Sequence, residues 1–132
     1  MNKIERFEDI LSWQKAPVMT KEIYASTRTG QFARDYGLKD QIQRATVSTM
    51  ANIAEGFERG GDREFVQFLS TSKGSCGEIK SHLYVALDQG YVTQVSFDQL
   101  YAKADEVSRL VGGFMHYLRQ SQLGGPKYKG RG

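Results

Sequence analysis

The stretch "NIAEGFERGG", residues 52–61, decides how this chain is read. Gly56 interrupts a run of small apolar residues, and Gly60 and Gly61 follow. As a phosphate loop the stretch fails, because it has no Lys followed by Ser or Thr and no G-x-G-x-x-G order. As the end of a helix it works. If a helix stops near Arg59 and the next returns antiparallel, Gly56 faces Phe65. Further from the turn, Ile53 meets Leu69, Thr49 meets Ser72, Ala45 meets Cys76, Ile42 meets Ile79 and Leu38 meets Leu83. Large meets large and small meets small, which predicts a close-packed αα-hairpin with a narrow waist. Gly56 inside a helix costs about 1 kcal/mol against alanine, so close packing on Phe65 must offset it.

Outward from the hairpin, helical periodicity predicts four segments, near residues 7–27, 38–59, 62–89 and 96–122. The third carries Phe65, Leu69, Ser72, Cys76, Ile79, Leu83 and Ala86 at alternating steps of four and three, a heptad seam. Pro17 lies inside the first and predicts a kink or an end to its opening segment. "SFDQ" at 96–99 matches an S-x-x-Q capping box and sets the expected start of the fourth. Four helices of this length with short links predict an all-α, antiparallel up-down four-helix bundle over residues 1–122, with a basic, Gly-rich, flexible tail over 123–132.

With 132 residues, one domain is expected. A hydrophobic fraction of 39% against 25% charged residues is that of a globular chain, not a disordered one. No apolar run is long enough to span a membrane. "MNKIERFEDI" lacks an apolar secretory segment, and the single Cys76 has no internal disulfide partner. A cytoplasmic protein is the expectation. The net charge of +3 resides in "LGGPKYKGRG", where Lys127, Lys129 and Arg131 meet no acid. The body of the chain is therefore neutral, and any affinity for nucleic acid must come from local patches, from the tail or from repetition in an oligomer.

The second predicted helix has two apolar rows. Besides the hairpin row, Val47, Met50, Ala54 and Phe57 step by three and four, and "ATVSTMANIA" (45–54) has no charge. A helix apolar on two sides is buried on two sides. The second row faces either another helix of its own bundle or a second copy of the chain, so these four residues are the oligomer-interface candidates. Between the rows run Arg44, Ser48, Asn52, Glu55 and Arg59. Glu55 and Arg59 suit an intrahelical ion pair. Asn52 and Glu55 are candidates for a structural polar network.

Catalytic chemistry finds little support. Cys76 and His82 are separated by about 600° of helix rotation and point apart. Neither His82 nor His116 follows a glutamate by three, as di-iron bundles require. Glu78 and His82 alone are too few for a metal, and zinc has no cysteine cluster. A non-enzymatic protein without cofactor or metal is expected. The basic candidates are Lys39 and Arg44 near the start of the second helix, Arg59 and Arg63 flanking the turn, Lys73 and Lys80 on one face of the third, and the three tail cations. Tyr128 between two lysines suits a phosphate backbone with one stacking ring.

Four separated blocks, "FEDILSWQKA" (7–16), "YGLKDQIQRATVS" (36–48), "NIAEGFERG" (52–60) and "EFVQFLSTSKGSCGEI" (64–79), resemble the bacterial four-helix-bundle family named for proteins encoded in 23S rRNA intervening sequences. The family is also similar to the accessory variability protein of diversity-generating retroelements, a homopentamer that binds its reverse transcriptase and nucleic acid. The resemblance implies a small non-enzymatic homo-oligomer, a pentamer if the relative is followed, with RNA or DNA as the expected partner. The alternative is a protein scaffold for a partner enzyme such as a reverse transcriptase, without nucleic-acid contact. Two departures stand out. Pro17 interrupts what is usually a regular first helix in the family. "TMANIAEG" lacks the proline common before the family's Asn-x-Ala-Glu-Gly block, which predicts a straighter second helix.

Overall fold

The computed structural model describes residues 3–124, so Lys127, Lys129 and Arg131 lie outside the described residues, as does nearly all of the predicted tail. Four α-helices follow one another: α1 (Leu11–Thr27), α2 (Tyr36–Arg59), α3 (Asp62–Asp88) and α4 (Gln94–Gly124). Short 3-10 turns at Phe7–Asp9 and Phe32–Arg34 precede α1 and α2. Each helix packs on the two adjacent in a square, α1 on α2 and α4, α3 on α2 and α4. Among the described residues there is no strand, and no helix is long and apolar enough to cross a membrane. Met19, Ile23, Ile42, Ile53, Phe65, Leu69, Ile79, Leu83, Val107 and Val111 fill the centre.

The α2–α3 hairpin follows the sequence register. Gly60 ends α2 in the left-handed conformation at φ 88°, where a residue without Cβ meets no steric penalty. At the waist, Ser72 Oγ donates to the Thr49 carbonyl at 2.8 Å and Thr49 Oγ1 lies 3.9 Å from Cys76 Sγ. A Cβ at position 56 would sit 2.7 Å from the Phe68 Cβ and 2.8 Å from Phe65 Cδ1. No carbon fits there, so glycine is required by the approach of α3.

Three helix starts differ from expectation, each for a local reason. The first helix begins at Leu11, not near Phe7. The Asp9 carboxylate accepts from the Glu5 and Arg6 amides at 3.0 and 3.2 Å, closing a 3-10 turn, and Ile10 is extended. The chain bends there, whereas α1 continues through Pro17. α2 begins at Tyr36 because Asp35 caps it, its Oδ1 accepting from the Leu38 amide at 3.1 Å. Oδ2 of the same residue accepts from the Tyr91 hydroxyl at 2.9 Å, tying the α3–α4 loop to the start of α2. α4 begins at Gln94, because Thr93 Oγ1 accepts the Ser96 amide at 3.1 Å. Ser96 is thus inside the first turn and the "SFDQ" box is not the cap.

Candidate nucleic-acid interface

The second apolar row of α2 is partly accounted for within the chain. Phe57 is buried, 6% exposed, edge-to-face with Phe65 at 6.2 Å. It belongs to its own core, which corrects its assignment as an interface residue. Met50 is half-buried, and its Sδ accepts from Thr20 Oγ1 of α1 at 3.3 Å. Ala54 is half-buried as well. Val47 remains 49% exposed, beside Tyr24 in a shallow depression between α1 and α2.

The polar stripe of α2 divides in two. Asn52 Nδ2 donates to the Ser48 carbonyl at 2.8 Å and to Ser48 Oγ at 3.0 Å, and Ser48 hydrogen-bonds Ser75 of α3 at 2.9 Å. This network crosses the hairpin. Glu55 is outside it and pairs with Arg59 at 2.9 Å.

The basic candidates are not one patch. Lys39 and Arg59 are twenty residues apart on α2, about 30 Å along its axis. Arg44 is held by Asp40 at 2.8 Å. Arg59 is shared between Glu55 and, at 3.7 Å, Glu64, with its guanidinium 5.2 Å from the centre of the Phe68 ring. The Glu55 hydrogen bond raises the Arg59 pKa first, followed by the charge of Glu55. Arg63, exposed at the second position of α3, makes no ion pair among the described residues, nor does Lys39.

Lys73 and Lys80 are brought together with residues of α4. Lys80 Nζ donates to Asp105 Oδ1 at 2.7 Å and lies 5.2 Å from the centre of the Tyr101 ring. Arg109 Nε reaches the other carboxylate oxygen at 3.0 Å. Lys73 crosses to α4 where Gly112 offers no side chain; a Cβ there would meet the Lys73 Cε at 3.2 Å. The Lys80 hydrogen bond holds the Asp105 carboxyl below its ordinary pKa; partial burial opposes this, while the charges of Lys80, Arg109 and Lys73 add to it. One carboxylate thus faces three cations along the outer α3–α4 groove. Arg109 escaped the sequence reading. Its only signal was the four-residue spacing from Asp105, which becomes informative once α3 and α4 are set antiparallel.

Beside Arg109, a cleft of about 470 Å³ separates the start of α1 from α4, floored by Ile10, Leu110 and Phe114. Ser12 Oγ at its edge is buried without a hydrogen-bond partner among the described residues. No three His, Cys, Asp or Glu side chains among the described residues gather as a metal site.

Comparison with known proteins places these features in context. The family model described as 23S rRNA-intervening sequence protein matches residues 8–113. A solved structure from Bacteroides thetaiotaomicron, a protein of unknown function of the S23 ribosomal protein family, superposes with a TM-score of 0.73. It is 18% identical, over 80% of this chain and 98% of that one, a likeness of fold. No curated protein matches the chain.

Proposed function

The chain belongs to the 23S rRNA-intervening sequence protein family, and we propose that it is a non-enzymatic cytoplasmic accessory protein that binds nucleic acid along the α3–α4 groove. One observation carries the reading: Lys73, Lys80 and Arg109 face a single carboxylate, Asp105. That leaves two uncompensated positive charges on a short strip, within a body whose charges sum to zero. Phosphate backbones are recognised by such local surplus, through release of condensed counterions. RNA, or a single-stranded or hybrid nucleic acid, is the partner proposed.

A strip this small binds weakly by itself. Copies of the chain in a ring, a pentamer in the simplest arrangement, would repeat it and gain avidity without new contacts. Val47, with Met50 and Ala54 behind it, is the surface offered for contact between copies. The tail cations Lys127, Lys129 and Arg131, outside the described residues, are further candidates for the same partner.

The direct test is titration of a labelled single-stranded RNA against the purified protein over a salt series. Binding that is clear at about 50 mM salt and falls steeply by 200 mM is expected. Absent or salt-insensitive binding overturns the reading. The exposed Val47 surface beside Tyr24 keeps a second reading open, a scaffold for a partner enzyme such as a reverse transcriptase. That reading requires a captured partner that survives nuclease treatment and is lost with Val47→Glu.

A further inference from the structure

At one end of the same groove the rings of Tyr84, Phe97 and Tyr101 form a cluster, with centroids 4.9 Å apart for Tyr84–Phe97, 5.8 Å for Tyr84–Tyr101 and 5.5 Å for Phe97–Tyr101. Phe97 is buried beneath, whereas Tyr84 is 56% exposed. Tyr36 is more exposed still, at 76%, but Tyr84 is set apart because its position is fixed from the side by two other rings. We propose that Tyr84 is a stacking platform for an unpaired base, and that the strand engaged by the groove is therefore single-stranded. This rests on the nucleic-acid reading above and sharpens it.

The argument is one of adjacency and order. Lys80, one helical turn before Tyr84 on α3, already lies over the Tyr101 ring. Lys73 is seven residues before Lys80, so Lys73, Lys80 and Tyr84 mark a line of about 16 Å along one helix. A base on the ring and its 5′ or 3′ phosphates toward the lysines fit that line over a short run of nucleotides. Stacked bases in a duplex have no free face to give, so an aromatic platform selects unpaired ones. A ring held by neighbours also loses little freedom on binding, which favours it over a loose surface tyrosine. Two acids lie near the platform: Asp98, which accepts from Gln94 at 2.8 Å, and Asp88, one turn after Tyr84 on α3.

The test compares a 12-nucleotide single-stranded RNA carrying one 2-aminopurine with its blunt duplex, on wild type, Tyr84→Ala, Tyr84→Phe and Lys73→Ala. Tyr84→Ala is expected to weaken single-strand binding about five- to hundredfold. It should also abolish 2-aminopurine quenching and leave duplex binding unchanged, while Tyr84→Phe behaves as wild type. If Tyr84→Ala binds single strands normally while Lys73→Ala is impaired, stacking is overturned and the phosphate reading stands. Equal loss on strand and duplex overturns it too, because the ring then acts through the fold. If wild type binds neither ligand, the functional reading fails and the platform with it.

Discussion

The Phe65 ring occupies the space that a side chain at Gly56 would need, with Phe65 Cδ1 only 2.8 Å from where that Cβ would stand. Phe65 cannot yield easily, because Phe57 on one side and Phe114 of α4 at 5.4 Å on another hold it edge-on. The glycine therefore couples the α2–α3 hairpin to the α3–α4 pair.

Gly56→Ala consequently destabilises, although alanine is the better helix former. Overpacking costs about 1–3 kcal/mol, against about 1 kcal/mol regained from helix propensity. The expected net loss is about 0–2 kcal/mol by denaturant titration, and Gly56→Val should lose more. A raised midpoint for Gly56→Ala, or an unchanged one for Gly56→Val, would contradict the packing account.

The caps give a sharper contrast. Thr93 holds the Ser96 amide, so Thr93→Ala should cost about 1 kcal/mol. Ser96→Ala, at the residue the sequence motif singled out, should fall within about 0.5 kcal/mol of wild type. The reverse order would restore the "SFDQ" box. Asp35→Ala should exceed both, since it removes a helix cap and the acceptor of the Tyr91 hydroxyl together.

Asp105 supplies a pH signature. Its carboxyl is held below the ordinary range chiefly by the Lys80 hydrogen bond. A depressed folded-state pKa contributes stability above the unfolded value, near 4, and loses it as pH falls through the folded value. The stability gap between wild type and Asp105→Asn should thus be constant from pH 7 to about 5 and close below about 4. The same variant removes the carboxylate that Lys80 and Arg109 share, so RNA binding at pH 7 should tighten. A gap that does not narrow as pH falls below about 4, or weaker RNA binding, would count against the cluster as described.

Arg59 and Lys73 separate charge from available charge. Arg59 by itself faces two carboxylates, Glu55 and Glu64, a local surplus of negative charge, so Arg59→Ala should leave RNA affinity within about twofold. Lys73 makes no ion pair among the described residues, and Lys73→Ala should weaken binding several-fold at low salt. Equal effects would mean that the groove has no special role.

The hairpin was legible because its information is local and redundant: a stop at Gly60–Gly61 and matched sizes from Leu38–Leu83 to Gly56–Phe65. The helix starts were not, because Asp9, Asp35 and Thr93 each compete with a neighbour that reads equally well as a beginning. Phe57 was misassigned because two apolar rows on one helix do not say what covers the second. Phe57 turns to Phe65, and α1 reaches Met50 through Thr20. Arg109 was hidden for a related reason. Lys73, Lys80, Asp105 and Arg109 are spread over thirty-seven positions of sequence, and only the α3–α4 register makes them one strip.

The central claim, that the α3–α4 strip contacts phosphates, is tested most directly by the salt slope of RNA binding in wild type and in the Lys73→Ala/Arg109→Ala double variant. Each single-strand phosphate contact contributes about 0.7 to the magnitude of the slope of log K against log salt. Two lost contacts per strip should therefore lower that magnitude by about 1.4, with only a small loss of stability, below about 1 kcal/mol, from the exposed Arg109–Asp105 pair. An identical slope in the two proteins would contradict the account.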